Sequence, residues 1–290
     1  MNVNLTKIIK RVGLITLVSI LLFSCTKKED EVSIDEKKNE ISKLKVVDQN
    51  KLKKQDGLMY EFMKSAPFSG RSVKYTEDSI LYEEKSYLAG KLDGKMIFRY
   101  ANNQKKFEID WKKGKKHGKY LYWNEKGGLL TEENYVMGRN EGINKNMYEN
   151  GKVKSQAIFK NGKMNGKVEM FYENGNKMSV DEYKNDIKDG LKIRWFENGQ
   201  MKEKGTFEND IVNGSVQGWF EDGTKMYEGT YDQGKMEGIF LNWYTNGKIK
   251  SEDNYKNDLK DGRSVRWDKE GKVTEEIIYK NSLIVEKIVG

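Results

Sequence analysis

From residue 70 onward the apolar and polar positions of the chain recur on a ruler of 24 residues. Glycine marks it at Gly70, Gly94, Gly118, Gly142, Gly166, Gly190, Gly214, Gly238 and Gly262. Positions are numbered below as offsets from these anchor glycines. Offset seventeen is aromatic in all nine units: Tyr87, Trp111, Tyr135, Phe159, Tyr183, Phe207, Tyr231, Tyr255 and Tyr279. Offset five reads Tyr75, Arg99, Trp123, Met147, Phe171, Trp195, Trp219, Trp243 and Trp267. A second glycine column stands at offset nine from Gly127 to Gly271, with Ser79 and Asn103 in the first two units. Between glycines lie short runs such as Ile193-Arg194-Trp195-Phe196, whose aromatic and β-branched content predicts strands. No unit has room for a helix of ordinary length.

Turn chemistry divides each unit. Glu149-Asn150-Gly151, Glu173-Asn174-Gly175, Glu197-Asn198-Gly199 and Glu221-Asp222-Gly223 read as two-residue hairpin turns, because both central residues tolerate positive φ. The second connection, as in the run from Lys160 through Asn161-Gly162 to Gly166, reads as a longer turn. With offsets eight and nine as the tight turn, paired offsets sum to seventeen, so Gly166 faces Tyr183 and Gly190 faces Phe207. The ring is then expected to cover the bare glycine. Apolar residues alternate between offset eleven (Val153, Met201, Ile249) and offset twelve (Leu130, Met178, Met226), which predicts a 48-residue superperiod in faces or in loop length.

The expected fold is all-β: an elongated, twisted, single-layer antiparallel sheet of nine hairpin repeats and about eighteen strands. It would extend about 85 Å and be roughly six residues across. Each unit touches its neighbours alone, so stability is a sum of nearest-neighbour terms. The array runs over 70–290, including a C-terminal cap in which residues 282–289 close the sheet. Residues 57–69, with Leu58-Met59-Tyr60-Glu61-Phe62 and Pro67-Phe68-Ser69, read as an opening hairpin that caps it.

Composition supports a fold with little interior: 36% hydrophobic, 34% charged and 28 glycines in 290 residues. The N-terminus is of a different kind. Lys7, Lys10 and Arg11 precede an apolar run over 12–23, then Ser24-Cys25. Residues 1–24 read as a signal peptide, with an apolar run too short for a typical spanning helix. Leu22-Phe23-Ser24-Cys25 resembles a bacterial lipobox, with the chain's one cysteine, Cys25, at the lipidated position. Residues 25–56 then read as a charged, flexible tether, with a short helix near 36–54. Thr26 and Lys27 follow the cysteine without an aspartate, which resembles an outer-membrane or cell-surface lipoprotein anchored through Cys25.

Trp111-Lys112-Lys113-Gly114-Lys115-Lys116-His117-Gly118 and Tyr231-Asp232-Gln233-Gly234-Lys235-Met236-Glu237-Gly238 resemble MORN repeats. The Tyr-Glu-Asn-Gly turns and the spacing are similar to the bacterial MORN-repeat variant, whose members are often labelled antitoxin components of toxin–antitoxin modules. The resemblance spans roughly 57–289. It implies an elongated antiparallel sheet with interaction roles, and no catalytic residues.

The chemistry is sparse. One His and one Cys exclude a two-His metal site and a disulfide framework. His117 lies in a lysine-rich turn and reads as a solvated residue rather than a base. The glycines are periodic hairpin residues, not a phosphate-binding loop. The net charge is +8 but lysines and acids are interspersed, so no nucleic-acid stripe is present. Neither a metal nor a cofactor is expected. Most aromatics should be packing, since a thin sheet needs large rings. Trp195, Trp219, Trp243 and Trp267 recur in consecutive units and form the candidate binding stripe. The leading expectation is a non-enzymatic lipoprotein scaffold for a protein or cell-surface ligand. The alternative is an antitoxin or immunity-like protein that binds a cognate toxin. A carboxylate-based envelope hydrolase is a distant third.

Overall fold

The computed structural model describes residues 45–289. The signal segment, Cys25 and the tether up to residue 44 lie outside the described residues. Those described fall in one unit of the chain, Leu44–Gly290. They build one open sheet of 21 strands, plus a two-stranded hairpin. Neighbouring strands are joined in chain order by hairpins, so the pairing is antiparallel. The exception is Val46–Asp48, which runs parallel to Arg71, Ser72 and Val73 and makes the sheet mixed. The count exceeds eighteen because a strand is added at each end and one is split into Arg139–Asn140 and Gly142–Met147.

The predicted pairing of offsets zero and seventeen is present in all nine units, from Gly70↔Tyr87 through Gly190↔Phe207 to Gly262↔Tyr279. The ring does not cover that glycine, however. A Cβ on Gly190 would meet Glu182, and one on Gly166 would meet Ile158, both at offset sixteen. Rings do lie over glycine elsewhere, Tyr227 over Gly218 and Phe240 over Gly229.

The two turn types are exchanged relative to expectation. The Glu-Asn-Gly turn is the longer one. In the unit of Gly166, the N–H of Tyr172 donates to the Asn176 carbonyl (2.8 Å) and that of Gly175 donates back to Tyr172 (2.9 Å). The Asn174 side chain accepts from Asn176 N–H, and Gly175 alone is left-handed, at φ 99°. This is a type I turn closed by a left-handed residue. The tight two-residue turn is the other connection: Lys160↔Lys163 flank Asn161 (φ 54°) and Gly162 (φ 85°). Asn185-Asp186, Asn209-Asp210 and Asn257-Asp258 repeat it. Shorter turns leave longer strands, so Ile187–Trp195 and Met201–Glu208 have nine and eight residues rather than six.

The 48-residue superperiod is absent from the register. Every unit pairs offset five with eleven, as in Trp195↔Met201 and Trp219↔Lys225, and offset four with thirteen, as in Arg194↔Glu203. Offset twelve is an extra residue in each of the nine. Lysine and the apolar residue exchange places across this constant bulge. Met178 is half-buried as the extra residue, Val153 and Met201 as the paired one.

The N-terminal cap begins before residue 57. Residues read as the end of a tether, with a helix, form Val46–Asp48, a 3-10 turn Gln49–Lys51 and Leu52–Gln55, the last paired with Leu58–Glu61. Val47, Leu52, Phe68 and Tyr87 are buried together, with Met59 and Leu92 packed against them. At the far end, Leu283–Val289 pairs with Val273–Lys280, and all seven of its residues are exposed.

Candidate functional site

Side chains alternate across a strand, so the register assigns the two aromatic columns to opposite faces. Offset seventeen shares its face with offsets two, four, thirteen and fifteen. Offset five shares the other face with offsets one, three and fourteen. Trp195, Trp219, Trp243 and Trp267 are therefore brought onto one face, all half-buried. Successive members are two strands apart, about 10 Å. Each has a different cross-strand partner: Met201, Lys225, Ile249 and Val273. Lys225 Nζ also lies 5.2 Å from the centre of the Trp243 ring.

On the face of the offset-five column, the first three units and the last carry a charge ladder that the sequence reading missed. Glu84, Glu108, Glu132 and Glu276 at offset fourteen pair with Arg71, Lys95, Lys119 and Arg263 at offset one. Its signal in the ruler was an acid at offset fourteen with a base at offset one, which the register makes diagonal neighbours across the strand pair. Burial opposes the charge on Glu108, but hydrogen bonds from Lys105 and Lys95 outweigh it and its carboxyl titrates below the ordinary value. In the first two units Tyr75 and Arg99 hold the stripe column, and a groove of about 620 Å³ lies there, bounded also by Leu81 and Asn102.

The opposite face carries the offset-seventeen rings under lysines. Lys188 Nζ lies 5.9 Å from the Tyr183 ring centre and 5.8 Å from that of Phe207; Lys192 lies 5.5 Å from Phe207. Near the C-terminal end, buried Asp253 accepts from Ser264 (2.6 Å) and Arg266 (2.9 Å) and pairs with Lys260 (2.9 Å).

Both long margins of the sheet tie unit to unit. Along one, the amides of Asn102, Asn150, Asn174, Asn198 and Asn246 donate to carbonyls of the following unit's turn. The Tyr100, Tyr148, Tyr172 and Tyr244 hydroxyls donate to the carbonyls of Trp123, Phe171, Trp195 and Trp267 at offset five of the following unit, two residues earlier. Along the other, His117 Nδ1 accepts from the N–H of Met137 (3.4 Å), where other units use Asp93, Glu141 or Glu237 toward Lys113, Asn161 and Asn257. His117 thus lies in a strand, Lys115–Trp123, as a structural acceptor rather than in a solvated turn. Among the described residues no group of three or more His, Cys, Asp or Glu is placed to hold a metal ion, and no helix is long and apolar enough to cross a membrane.

Five stretches match the MORN repeat variant: residues 140–161, 164–185, 188–209, 236–257 and 260–281. Each begins two residues before an anchor glycine, and each spans one longer hairpin and ends in the tight turn. The units of Gly70, Gly94, Gly118 and Gly214 lie outside the matches but pair in the same register. Over these stretches, under half of its length, the chain is similar to MORN-variant repeats. No curated protein matches it. Among solved structures, that of TcdB2-TccC3 matches at 10% identity and a TM-score of 0.20, over 81% of this chain and 17% of that one. The TcdB2-TccC3-Cdc42 structure matches at 12% identity and a TM-score of 0.16, over 80% and 15%. The chain therefore spans under a fifth of their length, and likeness at these scores carries no argument.

Proposed function

We propose that this chain is an exported, non-enzymatic scaffold, anchored by a lipid on Cys25, whose tryptophan stripe engages a protein or another component of a cell surface. The observation that carries the reading is the row Trp195, Trp219, Trp243 and Trp267 on one face of a sheet one layer thick. Half-buried tryptophans spaced at regular intervals, with the ion pairs Lys225–Glu228, Arg263–Glu252 and Arg263–Glu276 on the same face, have the make-up of an interface: aromatic anchors beside charged groups. The basic n-region, the apolar run and Cys25 supply the anchor reading.

Two experiments test it. Cells labelled with a fatty acid should yield labelled wild-type protein and unlabelled Cys25→Ser protein; equal labelling overturns the anchor. Partner capture by the full chain should fall at least tenfold when Trp219 and Trp243 are changed to Ala, with the β-sheet circular dichroism retained. Undiminished capture overturns the stripe.

A further inference from the structure

The strand ladder is thinnest between Leu129–Val136 and Gly142–Met147, where Lys145↔Glu132 and Asn146↔Thr131 are the pairs formed. A pocket of about 320 Å³ opens there on the face opposite the tryptophan stripe. Its origin is side-chain size. The columns two residues before and two after each anchor glycine hold Lys188 and Lys192 in one unit, and Met236 and Phe240 in another. In the unit of Gly142 they hold Asn140 and Asn144, and Ala157 stands two residues before the ring of Phe159. Short side chains leave room that Lys188, Lys192, Met236 and Phe240 fill in those units.

The lining is mostly polar and holds no lysine or arginine. It contains amides, two hydroxyls (Ser155 and Tyr135), one carboxylate (Glu133), the Phe159 ring and the aliphatic Ala157 and Val168. Asn144 spends its carbonyl oxygen on the N–H of Asn134 (2.8 Å), so its NH₂ is the group left to donate. Tyr135 donates its hydroxyl to Glu133 Oε2 (2.6 Å), which leaves the other carboxylate oxygen to accept. Burial, then the Glu133 hydrogen bond, push the Tyr135 hydroxyl up to about 12, so it stays a neutral donor. Lys116 lies over the Tyr135 ring, 4.7 Å from its centre, which makes Phe159 the apolar wall.

We propose that this pocket binds a neutral polyhydroxylated ligand, one pyranose ring of a saccharide, with its C–H face on Phe159 and its hydroxyls on Asn140, Asn144, Ser155 and Glu133. Sugar hydroxyls both donate and accept, and amides beside a carboxylate satisfy both roles. An anion would meet the Glu133 charge with no cation in the lining to offset it. The volume lies at the lower end of the range for small-ligand pockets and suits a single ring.

The test is saturation-transfer NMR on the full chain with methyl glucoside, methyl galactoside and N-acetylglucosamine as probes. Transfer to ring C–H protons of at least one is expected, with affinity at least tenfold weaker in Asn144→Phe and in Glu133→Gln. Asn144→Phe introduces the residue that the same column carries as Phe240, and Glu133→Gln keeps the shape if the first variant fails to fold. The Trp219→Ala protein should bind the sugar normally, which separates this site from the stripe. No transfer from any probe overturns the proposal. So does transfer that survives Glu133→Gln and Asn144→Phe, or binding of an acetylated asparagine amide in preference to all three sugars.

Discussion

The side-chain amide of Asn174 donates to the backbone carbonyl of Glu197, 3.1 Å away and one unit further along the chain. The same side chain caps its own turn through the N–H of Asn176. One residue thus closes a hairpin and fastens it to the next. Asn174→Ala removes both bonds and should cost about 1–3 kcal/mol in urea unfolding. A loss below a few tenths would show that the margin contributes nothing.

At Asp222 the ladder lacks its donor. The carboxylate caps Thr224 N–H as the asparagines do, but carries no N–H for the carbonyl of Thr245. Asp222→Asn should restore the missing rung and raise the melting temperature by about 1–2 °C. A lower melting temperature would count against the rung.

The anchor glycines differ in what they tolerate. Gly190 has φ 121°, and a Cβ there would lie 2.4 Å from Glu182 Oε2, an oxygen already accepting from Leu191 N–H. Gly238 has φ 77° and nothing within 4 Å. Gly238→Ala should cost about 1–2 kcal/mol, for backbone conformation alone. Gly190→Ala should cost more, because Glu182 must also move. Equal losses in denaturant titration would mean that conformation, not contact, keeps this column glycine.

The period and the pairing of offsets zero and seventeen were legible because both are counts along the chain. The turn types were not. Asn-Gly at 150–151 and Asn-Gly at 161–162 are the same dipeptide, yet the first places only its glycine in the left-handed region and the second places both residues there. Ser79 and Asn103 at offset nine were the available signal, since a single left-handed position accepts them. The bulge is hidden for the same reason: Lys202, extra in its strand, reads in sequence as alternation between units. The stripe was legible as a column, whereas the charge ladder of the first three units and the pocket near Asn144 depend on diagonal neighbours and on side-chain lengths in three adjoining strands.

Asp253 makes acid sensitivity a specific prediction. Burial opposes its charge, but Ser264, Arg266 and Lys260 outweigh that and hold its carboxyl below the usual value. The folded carboxyl is the more acidic one, so its contribution is complete above the unfolded value of about 3.9 and drains as pH falls through the lower folded value. Asp253→Asn should lower stability at neutral pH by about 2 kcal/mol and flatten the loss below pH ~4. An unchanged acid limb would remove Asp253 from the explanation.

Leu283–Val289 presents an open strand edge with Leu283, Ile284, Val285 and Ile288 all exposed. Such an edge invites pairing with another chain. Val285→Lys should reduce concentration-dependent self-association in sedimentation while leaving the melting temperature within about 2 °C. Self-association that persists unaltered would place the contact elsewhere.

The central claim is that adjacent units suffice to hold one another. Deleting residues 190–213, one whole period, joins Asp189 to Gly214 at the matching point of a strand and keeps every column in register. Circular dichroism with thermal melting should report the same sheet and a single unfolding transition at slightly lower temperature. Loss of the β spectrum, or a chain that no longer folds, would contradict the account.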